Sequence, residues 1–391
     1  MTATPMPLRH RVRRSSLAAA CGALLLVTGC TNAANEPSPE TRTAGSTPAT
    51  SAPPSNPDPS SPGPSSPTAS AARSRGEPRA REIVSDLEAP WGLVTLKDGT
   101  FLISERDSRR IVRVDNGSTS HVRTIDEADP AGEGGLLGLA ITEDERTVFA
   151  YYTAAQDNRI VSMSWNGSDL GAPKVILRGI PKGFVHNGGR LVVGPDGYLY
   201  VGTGESGDRG LSQDKDSLGG KILRLRLDGR AAPGNPFGNE VYSYGHRNVQ
   251  GLAFDDDGRL WASEFGQQAW DELNLIREGA NYGWPEVEGS GNVRGMTNPK
   301  VVWRTRDASP SGLAYWQGEL WMAGLKGERL WEIPLDGATT GDPISHFRGD
   351  YGRLRTVAVA HDGSSLLLSN SNTDGRGDPT RDDDRLFRVT R

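Results

Sequence analysis

Cysteine is nearly absent from this chain of 391 residues: Cys21 and Cys30 are the only two, both inside the first thirty positions. A fold built from the rest has no disulfide to staple it, and no CxxCH motif is available to carry a covalent haem. Long apolar runs are missing as well. The longest, Leu17 to Val27, is too short to cross a bilayer. Nor is there an excess of positive charge. The formal charge is −5, which argues against nucleic acid as a partner, because an acidic surface repels phosphate. What the sequence has instead is 49 glycines and 9 tryptophans. Many tight turns with aromatic packing suit an all-β protein better than a helical one.

The N-terminus reads as a targeting segment. LRHRVRRSS precedes the apolar run, and Thr28-Gly29-Cys30 follows it, resembling a lipobox whose cysteine is lipidated after cleavage. Residues 1–29 are therefore expected to be a lipoprotein signal peptide. Its loss removes four arginines and leaves 40 basic against 49 acidic residues, a net charge of −9. Residues 30–79 are Ser, Thr, Pro and Ala with little that is apolar, and 11 of the 26 prolines fall between Pro37 and Pro78. Such a stretch cannot bury enough surface to offset its ordering entropy, so a disordered tether is expected. The protein is then exported and held by a lipid anchor at the outer face of the cytoplasmic membrane or at the cell surface.

Residues 80–391 repeat themselves. A turn followed by a strand of alternating or aromatic character occurs six times, centred near residues 98, 144, 196, 257, 317 and 362. Asp-Gly at several of these turns favours a tight connection between antiparallel strands. Spacings of roughly 45 to 60 residues, with several strands per unit, are those of propeller blades. The expected fold is an all-β, six-bladed β-propeller with four-stranded antiparallel blades. A strand from Glu82 to Leu87 is expected to pair with Leu386 to Thr390 and close the ring, removing free edges.

Eight stretches read as neither strand nor ordinary turn: GEGGLLGLA (132–140), HNGGRL (186–191), GTGESGDR (202–209), GHRNVQGL (245–252), SEFGQQAWDELN (263–274), NYGWP (281–285), GLKG (324–327) and GRLRTV (352–357). In this order and spacing they resemble the soluble pyrroloquinoline quinone (PQQ)-dependent glucose and aldose sugar dehydrogenases, from about Ala89 to the C-terminus. YGHRNVQGLAF with the downstream NYGWP is the specific part. The resemblance implies oxidation of an aldose sugar at its anomeric carbon to a lactone, with electrons leaving to an external acceptor.

Taken alone, His186 is a loop histidine equally compatible with satisfying backbone carbonyls. The resemblance makes it the general base, a role an imidazole suits near neutrality. Glu205 falls where the family has a carboxylate bonded to that base, although the glucose-type enzymes carry Asp there. Arg247 and Asn248 match positions that contact the quinone, and Lys326, Arg353 and Arg355 match cations that hold its three carboxylates. Glu133 stands where the glucose-type branch has Gln, and an acid there repels a carboxylate-rich cofactor unless it is paired. The carbonyls of Gly266 and Gln267 are the implied Ca²⁺ ligands, and hard oxygen donors suit that ion. A second, structural Ca²⁺ is implied at Glu272 and the Tyr282 carbonyl, with Asn292 replacing an Asp of some relatives. His246 and Trp284 are assigned to packing, Arg376-Gly377-Asp378 to chance, and Asp382 to Asp384 to a solvated turn. Two other readings stand beside the enzyme: a non-catalytic propeller that binds ligands at the cell surface, and a calcium-dependent propeller lactonase.

Overall fold

The computed structural model describes residues 76–391, so the signal peptide and all but the last four residues of the expected tether lie outside the described residues. Among those described there is no α-helix, only strands and one 3-10 turn at Arg209–Ser212. The strands form six antiparallel sheets. Blade I runs outward through Pro90–Thr95, Phe101–Glu105, Arg110–Asp115 and Ser118–Thr124. Blades II to VI begin with the inner strands Leu136–Ile141, Arg190–Val193, Val249–Phe254, Pro310–Trp316 and Leu354–Val359. Blade V departs slightly from four strands, because two short segments, Thr339–Thr340 and Ile344–His346, share its third strand, Arg329–Asp336. The expected six-bladed propeller is the observed one.

Ring closure also follows the expected pairing, with shifted bounds. Arg79–Val84, rather than Glu82 to Leu87, pairs antiparallel with Leu386–Thr390 and completes blade VI. The strand therefore begins one residue inside the segment assigned to the tether.

Each blade buries both faces, and the strand's period of two explains how one sequence serves two neighbours. In the second strand of blade II, Val148, Ala150 and Tyr152 pack toward blade I, while Phe149 and Tyr151 pack toward blade III. In blade VI, Leu366 and Leu368 face blade V and Leu367 faces blade I. Six apolar clusters result, one between each pair of adjacent blades. The inner strands surround an axial channel of about 400 Å³.

The inner strands of blades I, II, IV and V share a device. Each has a bulge with a glycine in it followed by leucine: Gly92-Leu93, Gly138-Leu139, Gly251-Leu252 and Gly312-Leu313. A Cβ on any of these glycines would collide with backbone of the next inner strand, for Gly138 with the Gly189 carbonyl. That carbonyl accepts the Gly138 amide at 3.1 Å. The bulge thus lets neighbouring backbones bond across a blade boundary.

The Asp-Gly turns join first to second strands and lie on one face of the ring. Two sets of loops lie on the other: those entering each inner strand and those leaving each second strand. Most of the site residues singled out from sequence fall in these two sets; Glu272 lies in the third strand of blade IV, Tyr282 after that strand, and Arg355 in the inner strand of blade VI. Gly138→Ala should lower stability by about 1–3 kcal/mol, the range for overpacking a tight interior. Urea unfolding measures it, and an unchanged midpoint would mean that the neighbouring blade yields freely.

Candidate active site

His186 enters blade III and Glu205 leaves the second strand of the same blade. Their side chains meet with Nδ1 2.5 Å from Glu205 Oε1. Glycines make this approach possible: a Cβ on Gly188 would strike the backbone of Thr203 and Gly204, and one on Gly204 would strike the His186 carbonyl. His186 itself has φ of +56°, a left-handed conformation that costs a non-glycine residue about 1–2 kcal/mol. Its loop is pinned to hold it. Asn187 bonds Gly183 in both directions, at 3.0 and 2.8 Å. Ser206 N donates to the His186 carbonyl at 3.0 Å, and the Phe184 carbonyl accepts from Glu133 N at 2.9 Å. Phe184 nevertheless leaves its side chain in solvent, at 74% exposure, two residues from the histidine.

Glu133 completes the clamp. Its Oε2 accepts the His186 amide at 2.7 Å and its Oε1 meets Arg376 Nη1 at 2.7 Å. Burial pushes this carboxyl up, but the His186 amide and the Arg376 charge outweigh it and hold it below the usual range. Arg376-Gly377-Asp378 is therefore not incidental, because its arginine pairs with Glu133.

Arg247 and Asn248 enter blade IV and join the same network. The Arg247 carbonyl accepts from Glu205 N at 2.9 Å, and Asn248 Oδ1 accepts from Gly188 N at 2.9 Å. The Arg247 guanidinium lies 5.4 Å from the centre of the Trp284 ring. Burial pulls it below its ordinary value, against the opposing charges of Glu205 and Glu133.

Arg353 and Arg355 stand at the start of blade VI and share one partner. Asp374 Oδ2 accepts from both, at 3.0 and 3.1 Å. Burial lowers Arg355 to about 10 despite that carboxylate. Sequence reasoning missed Asp374. It leaves the second strand of its blade as Glu205 does in blade III, and that positional equivalence was the available signal. Lys326, by contrast, is exposed and makes no hydrogen bond or ion pair among the described residues. The structure places it on the same face without bringing it into contact with the two arginines.

The Asp382 to Asp384 run is not a solvated turn. Asp383 and Asp384 are buried. Asp384 accepts from the amides of Asn372 and Thr373, and Asp383 from the side chains of Asn370, Asn372 and Thr380. They pin the loop that carries Asp374 and Arg376.

The candidate metal residues gather in blade IV. Gly266 and Gln267 lie in the loop after its second strand, and no described donor reaches their carbonyl oxygens. Glu272 is buried and accepts from Asn274 Nδ2 and Gly289 N. Burial first, and then the charge of buried Glu264, raise its carboxyl far above the usual range. The Tyr282 carbonyl likewise meets no described donor. Asn292 is exposed and bonded to Asn298 at 2.6 Å. Among the described residues no trio of His, Cys, Asp and Glu side chains forms a metal set; the candidate oxygens here are backbone carbonyls and the single carboxylate of Glu272. His246 is buried between Ser243 and Glu264 and stacks on Tyr282 at 4.6 Å, in keeping with its packing assignment.

Several buried polar atoms at this mouth have no protein partner: the Nε atoms of Arg247, Arg353 and Arg355, Asn248 Nδ2, Trp284 Nε1 and Glu205 Oε2. Five of these six are donors. Buried donors are ordinarily paired, and an acceptor-rich ligand is one partner that would satisfy those gathered here.

Residues 87–378 match the model of the Glucose / Sorbosone dehydrogenase family. The chain belongs to that family. Within it, the chain is 54% identical to the structure titled as the PQQ-bound form of aldose sugar dehydrogenase from Streptomyces coelicolor. That match covers 80% of this chain and 98% of that one, with a TM-score of 0.78. It is 29% identical to an aldose sugar dehydrogenase of Escherichia coli over 75% of this chain and 90% of the relative. It is also 33% identical to quinoprotein glucose dehydrogenase B of Acinetobacter calcoaceticus, over 53% of this chain and 52% of the relative.

Replacing Glu133 with Gln tests the clamp through pH. A carboxyl held below its usual value stabilises the fold fully above the unfolded carboxyl's range and loses that effect as pH falls through the lower folded value. The wild type should exceed Glu133→Gln by about 1–3 kcal/mol at pH 7. The gap should shrink below about pH 4. Denaturant midpoints at both pH values decide it; a gap independent of pH would remove the ionised carboxylate from the explanation.

Proposed function

We propose that this member of the family is a PQQ- and calcium-dependent dehydrogenase that oxidises the anomeric carbon of aldose sugars to lactones and passes electrons to a separate acceptor. The observation that carries the reading is a partly exposed histidine bonded to a buried carboxylate, His186 and Glu205, on the same mouth of the propeller as a set of buried donors without a described partner. An ionised Glu205 Oε1 can only accept, which orients the Nδ1–H of a neutral His186 toward it and leaves Nε2 with its lone pair in that tautomer. Nε2 can then take the proton of the sugar's anomeric hydroxyl, and Glu205 stabilises the imidazolium that forms. When bound, PQQ supplies the acceptor for the hydride leaving the anomeric carbon.

Arg353 and Arg355 would hold cofactor carboxylates, with Lys326 as a more exposed third cation. Arg247 would stabilise negative charge that develops as the hydride leaves the sugar. Glu133 and Arg376 hold the His186 backbone in its left-handed conformation. Ca²⁺ at the Gly266 and Gln267 carbonyls would act as a Lewis acid, and a second Ca²⁺ at Glu272 and the Tyr282 carbonyl would relieve the crowding of two buried carboxylates. Phe184 offers an apolar face to the C–H surface of a pyranose ring. The S. coelicolor relative, whose title names both PQQ and aldose sugar, supports cofactor and substrate class. The binding-module reading drew on Glu133 and on the Glu at position 205 where the glucose-type enzymes carry Asp; Arg376 pairs the first. The N-terminal signal and tether support export and lipid anchoring outside the cytoplasmic membrane.

His186→Gln should keep the fold and lose turnover by about a hundredfold to ten-thousandfold. Reduction of bound quinone by sugar, followed in single-turnover stopped flow, isolates this step from acceptor chemistry. Reduction at the wild-type rate would place the base elsewhere. Chelation with EDTA should abolish activity and added Ca²⁺ restore it; an unchanged rate after exhaustive chelation would exclude the ion.

A further inference from the structure

Glu288 lies between the third strand, Trp270–Ile276, and the fourth strand, Val301–Arg304, of blade IV. Its Oε1 accepts four consecutive backbone amides: Gln267 at 2.6 Å, Gln268 at 2.9 Å, Ala269 at 2.9 Å and Trp270 at 3.1 Å. Burial pushes its carboxyl up, and these four donors together hold it below the usual range. One oxygen collecting four N–H groups is an anion in a backbone concavity, here supplied by the chain itself.

The consequence for the carbonyls is geometric. A trans peptide unit is planar, and its N–H and C=O point in opposite directions. The Gln267 amide belongs to the same unit as the Gly266 carbonyl, and the Gln268 amide to the same unit as the Gln267 carbonyl. With both N–H groups turned onto Glu288, both carbonyl oxygens are turned away from it, side by side, and no described donor meets them. Asp271 fixes the loop's entry by accepting Gly266 N at 2.9 Å and Ser309 N at 2.7 Å. The next residue after Glu288 reaches the other candidate cation position: Gly289 N donates to Glu272 Oε1 at 2.7 Å. Residues 288 and 289 thus tie both sets of oxygen donors to one short segment.

We propose that Glu288 is a positioning residue that sets divalent-cation affinity at the Gly266 and Gln267 carbonyls, by holding four amides on the far side of the loop. The inference rests on the calcium reading above. Two contributions separate by substitution. Glu288→Gln keeps an acceptor oxygen for the amides and removes the charge, whereas Glu288→Ala removes both.

The test uses EDTA-stripped, quinone-free protein titrated calorimetrically with Ca²⁺ alone. Glu272→Gln serves as the background in which the carbonyl site is read separately. Glu288→Ala should weaken Ca²⁺ at that site at least about tenfold, one charge-assisted contact or more, and Glu288→Gln should lie between it and the wild type. Circular dichroism and thermal unfolding in EDTA should stay close to wild type, since the loop is local; quinone titrated afterwards should be retained less well by Glu288→Ala. If Glu288→Ala does not fold, Glu288→Asp carries the test, because its shorter side chain cannot reach all four amides, and it should also weaken Ca²⁺. Equal Ca²⁺ affinity in wild type and a folded variant overturns the positioning role and leaves calcium use standing. A wild type that binds no Ca²⁺ overturns both.

Discussion

Six inner strands have to pass one axis at backbone distance, and the geometry of the site depends on their doing so. Four of them manage it with a bulge and a glycine, so that a neighbour's carbonyl can sit where a side chain would be. Because these strands converge, so do the loops that enter them. His186, Arg247 and Arg353 come from three different blades and still reach one mouth. The acids that answer them leave the second strands: Glu205 beside His186, and Asp374 beside Arg353 and Arg355. Blade stacking thus brings together charges that lie far apart in the chain.

The charge balance at that mouth is uneven in a way that suits an anionic guest. Asp374 is shared by two buried guanidiniums, and among the described residues no carboxylate is bonded to Arg247. Such an arrangement carries a desolvation cost that a further anion would offset. Arg376 and Glu133 show the opposite case, a closed pair whose task is to hold a backbone amide. One loop, 371–385, supplies both Asp374 and Arg376, and it is pinned by buried aspartates rather than by an apolar core. This explains why a polar, acidic stretch that reads as solvated is instead internal: its carboxylates replace a hydrophobic anchor with hydrogen bonds to Asn370, Asn372, Thr373 and Thr380.

Blade IV is the place where backbone does the work of side chains. Its loop at 266–270 folds donors onto Glu288 and leaves the Gly266 and Gln267 carbonyls without a described donor, an arrangement invisible to motif reading because any residue can supply a carbonyl. Glu288 itself lies in an ordinary-looking polar connection. Its importance comes from where four amides point, and no residue type encodes that.

Fold class, blade number and the partners in ring closure were legible in the chain, because turn chemistry, period-two patterning and a unit recurring roughly every 45 to 60 residues are local properties. The x-Gly-Leu recurrence at Gly92, Gly138, Gly251 and Gly312 took its meaning only from the structure, where a Cβ would strike the neighbouring blade. Motif order carried His186, Glu205, Arg247, Asn248, Arg353 and Arg355 to one site. Tertiary structure alone decided which charges pair. It joined Arg376 to Glu133 across 243 positions, gave Asp374 to two arginines, left Lys326 in solvent and buried Asp383 and Asp384. The physical reason is that a charged side chain's role is set by its partner and by its access to water, and both are fixed only when distant blades close into a ring.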